Sequence, residues 1–433
     1  MADSKNDTGS DVVFIDGGRT PFLRAGTDFK KLSAYDLGRR AISGLINKTK
    51  LNGDHVDRVY FGNVIQDINT SNVARESSLA AGLPDTIPAT TISMACISSN
   101  MALTMAKDTI ELGNANAAIV GGTEVMSDIP IRFRKKFRQK LLETQRYKSP
   151  ADYLKFFKNL KPSDLLPEIP SISEFSTGQT MGQSCDKMAA KYDIAREEQD
   201  AFALRSHLKA DQSRDELARE IFPVSLNGGS RIVDNDNGIR GDSSPEKLAS
   251  LKPAFIKPHG TVTAGNSSFL TDGASAGLIM SREHAEKHGY EPKAVLRAYS
   301  YVAKRPGDEL LIGPALAIPE ALDKMNLSLE DIEVFEFHEA FAGQVLTVLK
   351  ALASDDFAKE RLNRDKAMGK VPYDTLNSRG GSLSIGHPFG ATGVRLVTTA
   401  TNRLIDSGGR YALVAACAAG GQGHAMIVER FET

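Results

Sequence analysis

One order of strand-like and helix-like stretches runs twice through this chain, and that repetition restricts its fold more than any other feature. In the first run "DVVFIDGGRTPF" reads as a strand ending in a turn, "AYDLGRRAISGLINKT" as an amphipathic helix and "DRVYFGNVIQ" as a strand. "ATTISMACISSNMALTMAKDTIELG" then passes from strand to helix at Cys96, and "NAAIVGGTEVMS" is a strand entering a glycine-rich turn. The second run is "PKAVLRAYSYVA", "GPALAIPEALDKMNL" and "IEVFEFHEAFA", then the turn and helix of "LNSRGGSLSIGHPFGATGVRLVTTATNRLIDSG" and the strand, turn and strand of "YALVAACAAGGQGHAMIVER". Landmarks keep similar intervals, 25 residues from Cys96 to Gly121 and 30 from His387 to Cys417. Two copies are too few for a solenoid, so the pattern predicts an α/β protein with a pseudo-symmetric pair of sheets. Strands alternating with helices predict mainly parallel sheets, with the site on loops at the strand C-termini.

The expected organisation is a polar N-terminal tail (1–10), a first half (11–130), an inserted helical loop domain (131–258), the end of the first half (259–290) and a second half (291–433). The insertion opens with a basic stretch, 131–161, holding 11 Lys/Arg against 2 Asp/Glu. Phe133, Phe137 and Leu141 recur every four residues in it, and Tyr153, Phe156, Phe157 and Leu160 form a second apolar stripe after Pro150. Three readings fit: a solvated helical face, a docking surface for another protein, or an interfacial helix on anionic lipid. The stretch 353–377 lengthens the second half and receives no assignment.

Composition is that of a soluble globular protein, 41% hydrophobic and 25% charged over 433 residues. A formal net charge of -1 supplies no general attraction to nucleic acid. Three cysteines, Cys96, Cys185 and Cys417, are too few for a disulfide framework and lack zinc spacing, so no metal is expected. The start, "MADSKNDTGSD", has neither an apolar signal core nor an Arg-rich presequence, and no apolar run reaches a membrane span. The expectation is an intracellular protein, cytoplasmic or, as a processed organellar chain, in the mitochondrial matrix.

Cys96 falls where a strand gives way to a helix, among small neighbours that leave room for a carbonyl. Free backbone N–H groups at a helix start favour a thiolate there, although a lone cysteine more often only packs. His387 stands at the matching point of the second half, between Gly386 and Pro388, as a candidate base for a Cys–His pair. Cys417 ends a strand before the small-residue loop "AAGGQG", whose N–H groups could face an oxyanion. His338 and Glu339 follow another strand, where a buried polar pair is the plainer reading. No GxxxxGK[ST] or GxGxxG motif occurs, which speaks against an NTPase or a nicotinamide enzyme.

From Val12 to Arg430 the chain resembles the thiolase family, through "RTPF", "MACISSNMAL", "GGTEVMS", "GTVTAGNSSFLTDGA", "HEAFA", "GHPFGATG" and "CAAGGQG". The resemblance implies two βαβαβαββ halves with a loop domain inserted in the first, and a dimer or tetramer. It implies Cys96 as acyl-accepting nucleophile, His387 as its base and Cys417 as second acid/base. It also implies oxyanion donors at Cys96, Ala419, His338 and His387, contacts to coenzyme A at Ser268 and Arg240, and CoA as co-substrate with no permanent cofactor. Two residues depart from the commoner pattern: His338 stands where many thiolases have Asn, and Ala419 where Gly is frequent. The "HEAF" form resembles β-subunits of fatty-acid β-oxidation trifunctional complexes, which implies thiolysis of medium- or long-chain 3-ketoacyl-CoA and an α-subunit with hydratase and dehydrogenase activity. A short-chain acetoacetyl-CoA thiolase and a non-catalytic CoA-binding scaffold are the alternatives.

Overall fold

A computed structural model describes residues 11–168 and 173–432, so the expected tail, 1–10, lies outside the described residues. Ten strands join one sheet: β1 (Val12–Arg19), β2 (Leu23–Arg24), β3 (Arg58–Gly62), β4 (Ala89–Ile92), β5 (Ala117–Glu124), β6 (Thr271–Ser281), β7 (Ala294–Ala303), β8 (Val334–Phe337), β9 (Tyr411–Ala418) and β10 (Gln422–Arg430). Their order is β8-β9-β10-β7-β1-β6-β5-β3-β4, with β2 on β6. Across β1 and β5 every residue is buried, as expected of strands covered on both faces.

Two expectations change here. The halves share one sheet rather than carrying two, because β1 and β7 pair through Val13↔Val295 and Phe14↔Ala294. The sheet is also not mainly parallel: only β3–β4, β3–β5 and β8–β9 are. Helical crossovers make those parallel pairs, whereas β9 returns as β10 through the three residues Ala419–Gly421, which only an antiparallel hairpin can close. The pseudo-symmetry survives both changes. β3-β5-β6-β1 repeats as β8-β9-β10-β7, and the Phe335↔Leu376 bridge stands where β4 meets β3. That bridge gives the end of 353–377 a place in the sheet.

Two inner helices, Ser98–Glu111 and Thr392–Ser407, share one apolar cluster with both halves, including Leu103, Val397, Val120 and Val414. Outer helices cover the opposite faces. Ala34–Thr49 presents Leu37, Ala41, Ile42 and Leu45 inward at helical spacing, closed at its start by a Ser33–Asp36 capping box. Gly313–Asp323 and Ala342–Leu352 do the same for the second half.

In the insertion, Lys135–Glu143 and Pro150–Phe156 are helical. Phe133 lies instead on a short strand, Arg132–Phe133, paired with Pro167–Glu168, and its ring meets Phe137 at 5.0 Å. Leu142, Leu154 and Phe157 stay more than 60% exposed. Among the described residues no helix is long and apolar enough to cross a membrane.

The loop before the second inner helix is pressed against β3 and β5. A Cβ on Gly122 would lie 1.8 Å from the Gly390 carbonyl oxygen, and one on Gly62 2.7 Å from it. Glu124 anchors the same loop by accepting the N–H groups of Gly390, Val64 and Ile65. Gly122→Ala must displace backbone rather than a side chain, so it should destabilise the protein by about 3 kcal/mol. Urea unfolding checks this; an unchanged midpoint contradicts the packing.

Candidate active site

β4 ends at Ile92 and the first inner helix starts at Ser98, so Cys96 belongs to the connecting turn, two residues before the helix. Ser98 pins that turn: its Oγ accepts the Met94 N–H at 2.8 Å and donates to the Ala95 carbonyl at 2.7 Å. Ala95 is held at φ 47, a left-handed conformation uncommon for alanine. Cys96 itself is half-buried, yet its thiol is desolvated. Burial pushes the thiol up to about 12, and the facing N–H groups of Ala419 and Cys96 itself offset this only in part. Cys96 precedes the free N–H groups of the helix, so the help toward thiolate expected at a helix start does not offset burial.

His387 sits in the turn between the short helix Ser382–Ile385 and the second inner helix. Gly386 makes the turn with φ 114, and the His387 N–H donates to Thr271 Oγ1 at 2.9 Å. The ring's Nδ1 lies 2.6 Å from Thr392 Oγ1. His338 leaves the end of β8, its N–H bonded to the Ala415 carbonyl at 2.8 Å and its Nδ1 2.9 Å from Ser382 Oγ. The two rings are 4.0 Å apart, tilted by 44°. Both Nε2 atoms are buried without a partner. Burial, then Arg395, holds His387 down at about 3; burial, then His387 and Arg395, holds His338 well below its ordinary value. Both rings are therefore neutral at rest.

One ligand atom each from Cys96, His338 and His387 lies within 4.8 Å of the others, a set able to hold a soft divalent ion. Cys417 is the penultimate residue of β9, in register with Gly423, its thiol raised first by burial and then by neighbouring Cys96 and Cys185. Ala419 is absent from the residues with positive φ, while Gly420 and Gly421 take φ 84 and 72. Alanine at 419 thus keeps its N–H toward the thiol without strain.

Of the two expected coenzyme contacts, Ser268 belongs to a segment bridged to the loops of both histidines through Leu270↔His387 and Ser267↔Phe341. Ser268 is half-buried, its N–H bonded to the Ala340 carbonyl two residues after His338. Arg240 lines a cavity of about 320 Å³ with Arg24, His207, Lys247, Ser267 and Leu383. Arg24, His207 and Lys247 were missed by sequence reasoning, since nothing local links residues so far apart. Ser382, Thr392 and Arg395 were missed too, although the first two lie within or beside "GHPFGATG".

A thiol raised by burial has a testable signature. Inactivation of the free protein by iodoacetamide should quicken about tenfold per pH unit from about pH 6 to 9, because the thiolate fraction grows at that rate below the thiol's pKa. A plateau near neutrality would indicate a preformed thiolate.

Residues 12–283 match the family model "Thiolase, N-terminal domain", and residues 290–430 match "Thiolase, C-terminal domain". The chain is 53% identical over 421 residues to "Trifunctional enzyme subunit beta, mitochondrial" of Bos taurus, covering 97% of this chain and 88% of that protein. It is 52% identical over 422 residues to "Probable 3-ketoacyl-CoA thiolase" of Caenorhabditis elegans, covering 97% and 94%. Human mitochondrial 3-ketoacyl-CoA thiolase superposes with a TM-score of 0.84 at 29% identity, over 98% of this chain and 99% of that one. These matches span both halves and the insertion, and the chain belongs to the thiolase family.

Proposed function

We propose that this protein is a 3-ketoacyl-CoA thiolase of fatty-acid β-oxidation. It cleaves medium- or long-chain 3-ketoacyl-CoA with CoA to acetyl-CoA and a shortened acyl-CoA. The convergence of Cys96, His338 and His387, with the Ala419 N–H turned to the thiol, carries the reading. The names of the bovine and nematode relatives support the substrate class.

In the first half-reaction Cys96 Sγ attacks C3 of the substrate while its proton passes to His387 Nε2. The N–H groups of Cys96 and Ala419 hold the C3 oxyanion. The C2–C3 bond then breaks, leaving acyl-Cys96 and the enolate of acetyl-CoA. His338 and His387 stabilise the enolate oxygen, and loss of one such donor costs about 3–4 kcal/mol in the barrier. Cys417 protonates C2. In the second half-reaction Cys417 takes the thiol proton of CoA, CoA attacks the acyl group, and His387 returns its proton to the departing Cys96. The reaction is ping-pong.

Arg240, Arg24 and Lys247 around the cavity supply cations for the phosphates of CoA, with Asp242 partly offsetting Lys247. Ser268 is assigned to the pantetheine arm. CoA is a co-substrate and no permanent cofactor takes part. The names of the trifunctional relatives, a beta subunit and mitochondrial, support a partner subunit and a mitochondrial setting; the partner carries the hydratase and dehydrogenase activity, and this chain forms a dimer.

Mixing the protein with 3-ketohexadecanoyl-CoA, without free CoA, should leave a tetradecanoyl group on Cys96 and release acetyl-CoA, read by peptide mass spectrometry. An adduct only with acetoacetyl-CoA would favour a short-chain thiolase, and none with either would favour the scaffold. Cys417→Ala should slow C–C cleavage by about 100-fold, more than it slows transfer from a preformed acyl-Cys96. Equal loss of both contradicts its role. Arg240→Ala should raise KM for CoA about tenfold with kcat nearly unchanged, a loss of about 1.4 kcal/mol of uniform binding. A selective fall in kcat would remove Arg240 from the nucleotide site.

A further inference from the structure

We propose that Thr392 and Ser382 hold the two neighbouring imidazoles in opposite tautomers, His387 with a free Nε2 and His338 with an Nε2–H, and that buried Arg395 commits Ser382 to this task. The proposal rests on the thiolase reading for its chemical meaning, but its geometry stands separately.

Each hydroxyl owns one proton. Thr392 Oγ1 lies 2.6 Å from His387 Nδ1 and donates to the Pro388 carbonyl at 3.0 Å. A carbonyl can only accept. Turning the hydroxyl proton to His387 would leave two oxygen lone pairs facing each other across that gap. Thr392 therefore accepts from His387 Nδ1–H, and the neutral ring keeps its lone pair on Nε2.

Ser382 Oγ receives a hydrogen bond from Arg395 Nη2 at 2.9 Å, and a guanidinium has no acceptor to offer in return. His338 Nδ1, 2.9 Å away, is then the acceptor for the Ser382 proton. The other arrangement would strand that proton in a fully buried site, which costs about 1–3 kcal/mol. A neutral His338 that accepts at Nδ1 carries its hydrogen on Nε2. Arg395 is itself held in place: it bonds Glu336 at 3.0 Å, Glu336 also takes Arg403 at 2.7 Å, and all three are buried. Burial, with Arg395 close by, disfavours an imidazolium at either ring.

The two rings consequently divide the work. His387 Nε2 accepts the Cys96 proton and later returns it. His338 donates a hydrogen bond to the enolate oxygen through Nε2–H and never changes its protonation state. Ser382, Thr392 and Arg395 are positioning residues.

The test is 15N NMR of histidine-labelled protein without substrate. His338 should be protonated at Nε2 and His387 at Nδ1, each signal identified by its loss in His338→Asn or His387→Asn. His424 provides the reference: its Nδ1 faces the Ser300 carbonyl at 3.0 Å, so it carries its proton there, and persistence of its signal shows that a variant has folded. Identical tautomers, or the reverse assignment, overturn the proposal. Ser382→Ala should remove the pure Nε2–H signal of His338 and lower kcat for thiolysis about 10–100-fold with KM little changed. Ser382→Thr, which keeps the hydroxyl, should restore most of the rate. Wild-type kcat in a folded Ser382→Ala protein also overturns it. Because the NMR reading needs no turnover, it can fail while acyl-Cys96 still forms, and it can succeed if acyl-Cys96 does not.

Discussion

Cys96 and His387 meet because the two inner helices begin side by side. At that crossing a Cβ on Gly393 would lie 2.2 Å from Asn100 Oδ1, and the Val394 N–H reaches Ser99 Oγ at 3.2 Å. Each helix is entered through a turn bearing a functional side chain, so the crossing sets the separation of the thiol and the ring. The sheet then holds the crossing from both sides, β5 and β6 from one half and β9 and β10 from the other. Residues nearly three hundred positions apart are thereby placed by packing that involves neither of them directly.

Burial governs the electrostatics of the resting site. It raises the thiols of Cys96 and Cys417 and lowers both imidazoles, so all four groups are held toward their neutral forms. Neutral groups avoid the desolvation cost that a buried thiolate–imidazolium pair would carry. Behind His338 the buried charges are paired, in the Arg395–Glu336–Arg403 group. The facing N–H groups of Cys96 and Ala419 are already oriented, so they can act on charge when it develops without rearranging.

Much of the secondary structure was legible, for local reasons. The stretch "AYDLGRRAISGLINKT" is helical from its first residue to its last, because its apolar spacing and its cap agree. The repeated landmarks correctly announced two halves. Strand direction was misread because alternation with helices covers only part of each half; the glycine turn of β9–β10 and the return of β6 after the insertion make the centre antiparallel. Cys96 does lie where strand gives way to helix, but the left-handed Ala95 and the Ser98 staple that shape the turn were announced by no residue pattern. The basic cavity and the pairing of His338 with Ser382 were invisible for another reason, since each joins segments remote in the chain, whereas Thr392 stands five residues from His387 in the same motif.

The sequence by itself determined the elements, their duplication and the chemical types at Cys96, His338, His387 and Cys417, because periodicity, turn residues and side-chain chemistry are local properties. Tertiary structure alone decided the single sheet, the desolvation of the site and the pairing of His338 with Ser382. Those depend on distance, on desolvation and on which hydroxyl has a free proton, and none of these exists until the two halves have closed on the inner helices.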